Sequence, residues 1–168
     1  MKLAFEHGIN FFDNAEVYGT NTGDAELIMG ESLKQLKWKR QDYVISTKLF
    51  WGGNGENLKG LSRKHLDEGM EASLKRLQLP NVDVVFAHRP DVGTPMEEVV
   101  RGFTHLIQTG KAYYWGTSEW TSQQITEAYY IAKLNNLIPP SCGKSFFFAY
   151  RIFFYFFLTL LSFFKKKF

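Results

Sequence analysis

The 168 residues are 45% apolar, enough for one globular core, and their formal charge is +3. Residues 1–142 carry 15 Lys and Arg against 17 Asp and Glu, while the last 26 residues hold Lys144, Arg151, Lys165, Lys166 and Lys167 with no acid. That distribution excludes a basic nucleic-acid-binding face, and a single cysteine, Cys142, excludes an internal disulfide, so a reducing cytoplasm is the expected compartment.

In chain order, residues 9–12 read as a short strand. Ala25, Ile28, Met29, Ser32 and Leu36 follow at helical spacing and fall on one face. A second strand is expected at residues 43–47, then a helix whose stripe is Leu66, Met70, Leu74 and Leu77. After a third strand at Val82–Ala87, Thr94-Pro95-Met96-Glu97 sets a hydroxyl at the N-cap, proline at N1 and a carboxylate at N3, which predicts a capping box. Residues 112–116 read as the fourth strand, and Thr121-Ser122-Gln123-Gln124 repeats the capping pattern with glutamine. Gly52-Gly53-Asn54-Gly55 reads as a flexible loop over the site, with Trp51 either a wall of the substrate pocket or simple packing.

These are four βα units, and their strands recur every 30–39 residues. Parallel strands joined by helices allow an open doubly wound sheet or a closed eight-unit barrel. No G-x-G-x-x-G follows a strand, which weighs against the doubly wound dinucleotide-binding form, but the spacing alone leaves both open.

The composition changes after Cys142, so the expected division is a body over 1–142 and a tail over 143–168. Residues 146–164 hold nine phenylalanines with Arg151 as the one charge, followed by Lys165, Lys166 and Lys167. Such a run is long enough to span a bilayer with a positive flank. The favoured expectation is different: Phe, Leu, Ser and Lys are what pyrimidine-rich and A-rich DNA encodes, and Gly143-Lys144-Ser145 is readable as a splice-donor-like GGTAAGT, so the tail reads as a translated intron. Gly143-Lys144-Ser145 also ends like a phosphate-binding loop, but position 138 is Ile where that motif needs Gly. The histidines lack metal-ligand spacing, so no metal is expected.

Four polar side chains stand at the ends of successive predicted strands: Asp13, Lys48, His88 and Ser118. In a (β/α)8 barrel that rim carries the active site. Any one of them alone has a bland reading, as a loop cap, a solvated strand end or a satisfied histidine. Four together, with Tyr18 five residues beyond Asp13, favour a site.

The stretch Gly8-Ile9-Asn10-Phe11-Phe12-Asp13-Asn14-Ala15-Glu16-Val17-Tyr18-Gly19 resembles the G-I-N-x-F-D-T-A-x-x-Y-G segment of aldo-keto reductases, and Ile45-Ser46-Thr47-Lys48 resembles that family's lysine strand. Phe50-Trp51-Gly52-Gly53, Phe86-Ala87-His88-Arg89-Pro90-Asp91 and Tyr114-Trp115-Gly116-Thr117-Ser118 are similar to the branch containing the β subunits of voltage-gated potassium channels. The resemblance runs over residues 1–142 and implies a partial (β/α)8 TIM barrel, an α/β fold.

It further implies an NADP(H)-dependent reductase of a small carbonyl substrate, with a catalytic tetrad on Asp13, Tyr18, Lys48 and His88. In this scheme Lys48 lowers the Tyr18 pKa so that Tyr18 serves as general acid, Asp13 orients Lys48, and His88 binds the carbonyl. Cofactor contacts fall on Asp13, His88, Ser118 and Glu119, the last a departure from the Asn or Arg usual there. Two other readings follow: a non-catalytic, redox-sensing potassium channel subunit, tetrameric like its relatives, or a protein anchored in a membrane by residues 146–164. The resemblance also implies that the chain lacks the family's first strand and the segments after the fifth, so the isolated polypeptide is expected to show no reductase activity.

Overall fold

A computed structural model describes residues 1–144; of the tail expected over 143–168, everything from position 145 on, including the Phe-rich run at 146–164, lies outside the described residues. Five strands, β1 (Phe11–Asp13), β2 (Val44–Leu49), β3 (Val82–Ala87), β4 (Ala112–Ser118) and β5 (Cys142–Lys144), form one parallel sheet in the order of the chain. The helices are α1 (Lys2–Glu6), α2 (Asp24–Leu36), α3 (Arg63–Leu77), α4 (Met96–Gln108) and α5 (Ser122–Leu134).

Each strand lies beside its predecessor, with no reversal of order. A doubly wound sheet reverses at a switch point, whereas sequential addition is the build of a (β/α)8 barrel. The fold is therefore a partial TIM-barrel-like α/β sheet.

The ladder register sorts the side chains into two faces. Asp13, Ser46, Val84 and Tyr114 form one row on the inner face, and Lys48, Phe86, Gly116 and Cys142 form the next. The alternate row, Thr47, Val85 and Trp115, turns toward the helices. There Trp115 stacks on Phe103 of α4, centroids 4.7 Å apart, and its Nε1 donates to the Ile138 carbonyl at 2.8 Å. Burying each such side chain stabilises the fold by roughly 2 kcal/mol. Phe5 and Phe12 both stack on Trp38, which ties α1 to β1 and to the chain before β2.

Several expectations need correction. The first strand is Phe11–Asp13 rather than 9–12, and β2 and β4 each run two residues further than predicted because their ladders continue through Leu49↔Ala87 and Thr117↔Gly143. A further strand, β5, was not foreseen: it pairs with β4 and crosses the boundary expected at residue 142.

The face that helix α2 buries centres on Glu26, Gly30 and Leu33, to one side of the predicted stripe: Ala25, Met29, Ser32 and Leu36 are half-buried at its flank, while Ile28 is 67% exposed. The cause lies outside the helix. Glu26 accepts a 2.7 Å bond from Arg76 Nε and a further bond from Thr47 Oγ1, and a Cβ at Gly30 would meet the Arg76 carbonyl oxygen at 2.5 Å. Helix α4 begins at Met96 with Pro95 as its N-cap and no side-chain cap; the Thr94 hydroxyl donates to Asp91 instead, at 2.8 Å. The Thr121–Gln124 capping box forms as expected.

Candidate active site

The sheet brings the predicted strand-end residues to its C-terminal end. Asp13 closes β1, Ser118 closes β4 and His88 follows β3; Lys48 sits inside β2 rather than beyond it. Asp13↔Ser46 are register partners, so Ser46 Oγ donates to Asp13 Oδ1 at 2.5 Å. Lys48, two residues on and thus on the same face, donates from Nζ to Asp13 Oδ2 at 2.6 Å and to the Asn14 carbonyl at 2.7 Å. Lys144 forms a second ion pair, with Oδ1.

Burial raises the Asp13 carboxyl, but hydrogen bonds from Lys144, Lys48 and Ser46 outweigh it and hold the group below the usual carboxylate value. For Lys48 the balance is reversed. Its side chain is 3% exposed, and burial pulls the ammonium below its ordinary pKa despite Asp13.

Tyr18 lies in the turn between β1 and α2, where its carbonyl accepts from Ala25 N at 3.0 Å. Gly19 follows with φ +119°, and a Cβ there would meet Asp24 Cβ at 2.6 Å, so the turn requires glycine. Lys48 Nζ stands 4.4 Å from the Tyr18 ring centroid, and the His88 ring meets Tyr18 edge-on at 5.7 Å.

The expected lowering of the Tyr18 pKa by Lys48 is not found. Partial burial and the Asp13 charge raise it, against weaker pulls from Lys144 and Arg89. The reason is geometric: both hydrogen bonds from Lys48 go to Asp13 and Asn14, so its charge is answered before it reaches the phenol.

His88 is 6% exposed, and burial with the neighbouring Arg89 and Lys48 charges lowers its pKa to about 4. It is neutral at pH 7. Its Nδ1 has no hydrogen-bond partner among the described residues. Ser118 Oγ accepts one long bond, 3.4 Å, from Arg89 Nη1.

Glu119 holds φ +58°, and its N–H extends the β4–β5 ladder to the Lys144 carbonyl at 2.8 Å. A non-glycine residue in that region is strained. Trp51 is 36% exposed, with its ring 4.4 Å from that of Phe50 and Lys59 Nζ 6.0 Å from its centroid. The glycine loop behind it is clamped at its base, with Gly60 N donating to the Phe50 carbonyl at 2.9 Å and Gly52 pressed on His65 and Glu16.

Sequence reasoning missed Ser46, the Asn14 carbonyl, Lys144 and the buried Glu16, which accepts from Phe50 N at 2.5 Å and lies 3.3 Å from His65 Nε2. Ser46 was discoverable, since position i−2 of a strand lysine shares its face. Lys144 was assigned to the tail, which hid it. Among the described residues no group of three or more metal-binding side chains occurs.

The partial barrel thus gathers Asp13, Tyr18, Lys48 and His88 at the C-terminal ends of its strands. Residues 1–145 match the model of the aldo/keto reductase family, and the chain belongs to that family. It is 58% identical over 135 residues to a probable voltage-gated potassium channel subunit beta of Arabidopsis thaliana, a match covering 80% of this chain and 40% of that relative. The chain thus spans well under two thirds of the length of this curated relative. Among the described residues no helix is long and apolar enough to cross a membrane.

Proposed function

We propose that this chain carries the catalytic tetrad of an NADP(H)-dependent reductase acting on aldehydes or ketones, with Asp13, Tyr18, Lys48 and His88 as its working groups. The observation that carries the reading is their assembly on one rim, Asp13 bonded to Lys48 at 2.6 Å and both Lys48 and His88 against the Tyr18 ring. Tyr18, protonated at neutral pH, donates its phenolic proton to the carbonyl oxygen. Neutral His88 orients that oxygen by a hydrogen bond. Lys48 and Asp13 fix the Tyr18 ring from below. A reduced nicotinamide, when bound, supplies the hydride equivalent. The residues present fit such a group, because among the described residues the Ser118 hydroxyl has one long partner and can bond a carboxamide, with Asp13, His88 and Glu119 beside it on the rim.

The test is NADPH oxidation with 4-nitrobenzaldehyde by the full-length protein. Wild type should turn over, and Tyr18→Phe should lose roughly 10²-fold or more in kcat. Equal turnover in both would overturn the reading. The likeness to a protein described as a channel subunit supports a second reading, attachment to a potassium channel as a redox-sensing tetramer. Channel binding that survives Tyr18→Phe would separate that role from catalysis.

A further inference from the structure

Three cationic side chains stand at the rim, and two of them, Lys48 and Lys144, bond to Asp13. The third is Arg89. It is half-buried and forms no ion pair among the described residues; Nη1 donates to the His88 carbonyl at 2.6 Å and to Ser118 Oγ at 3.4 Å. A guanidinium presents its N–H donors as a planar fork suited to a carboxylate, and both of these bonds use one nitrogen. Withdrawing such a charge from water is unfavourable without an opposite charge. A second observation is independent of the first: the neighbouring His88 is 6% exposed with Nδ1 unpartnered among the described residues. Buried polar groups are seldom left so. The unpaired fork and the unpaired ring nitrogen belong to consecutive residues beside Tyr18.

We propose that Arg89 is the anion anchor of this site and that the preferred substrates are 2-oxo acids, carbonyl compounds with a carboxylate next to the carbonyl. The proposal rests on the reductase reading and specifies its substrate class. In a 2-oxo acid the carboxylate is bonded directly to the carbonyl carbon, so one molecule can offer the anion to Arg89 while its carbonyl oxygen faces His88 and Tyr18. The reaction balances: the C=O π bond is replaced by a C–H bond, formed with the hydride of the reduced nicotinamide, and an O–H bond, formed with the Tyr18 proton. The products are a 2-hydroxy acid and oxidised nicotinamide, and the Tyr18 phenolate takes back a proton from water.

The full-length protein is titrated calorimetrically with phenylglyoxylate and with acetophenone, its counterpart bearing methyl in place of the carboxylate. Wild type should bind the anion at least about tenfold more tightly, a difference of about 1.4 kcal/mol. Arg89→Gln should abolish that preference, and Arg89→Lys should restore part of it. Equal binding in wild type, or a preference that persists in Arg89→Gln, overturns the proposal. Inorganic pyrophosphate tests the other source of an anion, the phosphates of a cofactor: if its affinity falls in Arg89→Gln while that of phenylglyoxylate does not, the anchor serves the cofactor and the proposal fails. Turnover is read separately. Absence of benzaldehyde reduction by wild type sinks the reductase reading, whereas benzaldehyde reduction without an Arg89-dependent gain for phenylglyoxylate sinks only the anchor.

Discussion

Lys48 lies on the face of Tyr18, with Nζ 4.4 Å from the ring centroid, while its hydrogen bonds go to Asp13 and the Asn14 carbonyl. A cation in that position interacts with the negative face of the ring and orients it. Partial burial and the Asp13 charge, against weaker opposing pulls from Lys144 and Arg89, hold the phenol above its ordinary pKa of 10.0. Tyr18 is therefore an acid over a wider pH range than a free tyrosine.

Carbonyl reduction by the full-length protein should accordingly hold steady between about pH 7 and pH 9, because a raised pKa extends the protonated form toward alkali. Rates measured at saturating cofactor check this. A basic limb centred near neutrality would show that Tyr18 is not the acid or that its pKa is low.

His88 titrates at about 4 in the folded protein against an ordinary 6.5, so the unfolded chain binds the extra proton first. Stability from this group is complete above pH 6.5 and falls as the pH drops toward 4, by at most about 3 kcal/mol. His88→Asn should flatten that part of the curve of urea midpoint against pH. An unchanged acid slope would place the loss on other groups.

Replacing Asp13 by Asn removes the carboxylate shared by Lys48 and Lys144. Lys48 is then a buried ammonium without its counter-charge. The expected destabilisation is about 2 kcal/mol, below the range for fully buried pairs because Asp13 keeps 32% of its side chain in water. Denaturant unfolding at pH 7 measures it, and a loss under about 0.5 kcal/mol would mean that Ser46 and Asn14 alone can hold Lys48.

Glu26 is fully buried and paired with Arg76 Nε at 2.7 Å. Arg76→Ala should cost about 3 kcal/mol by leaving that carboxylate unpaired, while Arg76→Ala combined with Glu26→Gln should recover a large part. Thermal unfolding of the single and double variants decides it. Additive losses would deny the pairing.

Among the described residues β1 and β5 each pair on one side only, and Phe11 and Tyr114 are 43% and 57% exposed on the inner face. Open strand edges beside apolar surface invite association. The 168-residue polypeptide expressed alone should elute well above its 19.5 kDa monomer mass. A clean monomer by light scattering would contradict this.

Much of this architecture was legible along the chain. The alternation of short apolar runs with amphipathic segments placed every helix of the βα units, and Val82–Ala87 matched its strand end to end. Strand ends slipped by one or two residues because a ladder stops where its neighbour stops, and that neighbour is distant in sequence, as with Asp13↔Ser46 and Ser118↔Lys144. The centre of the buried α2 face was missed for a related reason: a glutamate reads as solvent-facing until Arg76, fifty residues on, neutralises it. The Thr94 cap failed because the helix starts one residue later, with Pro95 at the N-cap, while the Thr94 hydroxyl donates to Asp91.

By itself the sequence determined the order and type of the elements in the four βα units and set Asp13, Lys48, His88 and Ser118 near strand ends, since periodicity is a local property of the chain; the tetrad of Asp13, Tyr18, Lys48 and His88 followed from the family resemblance. The tertiary structure decided the rest. Sequential sheet order separated the barrel from the doubly wound alternative, and register put Ser46 and Lys48 on one face with Asp13. Proton affinities belong to this second group, because the pKa of Tyr18 or His88 is set by burial and by charges that only folding brings within a few ångströms.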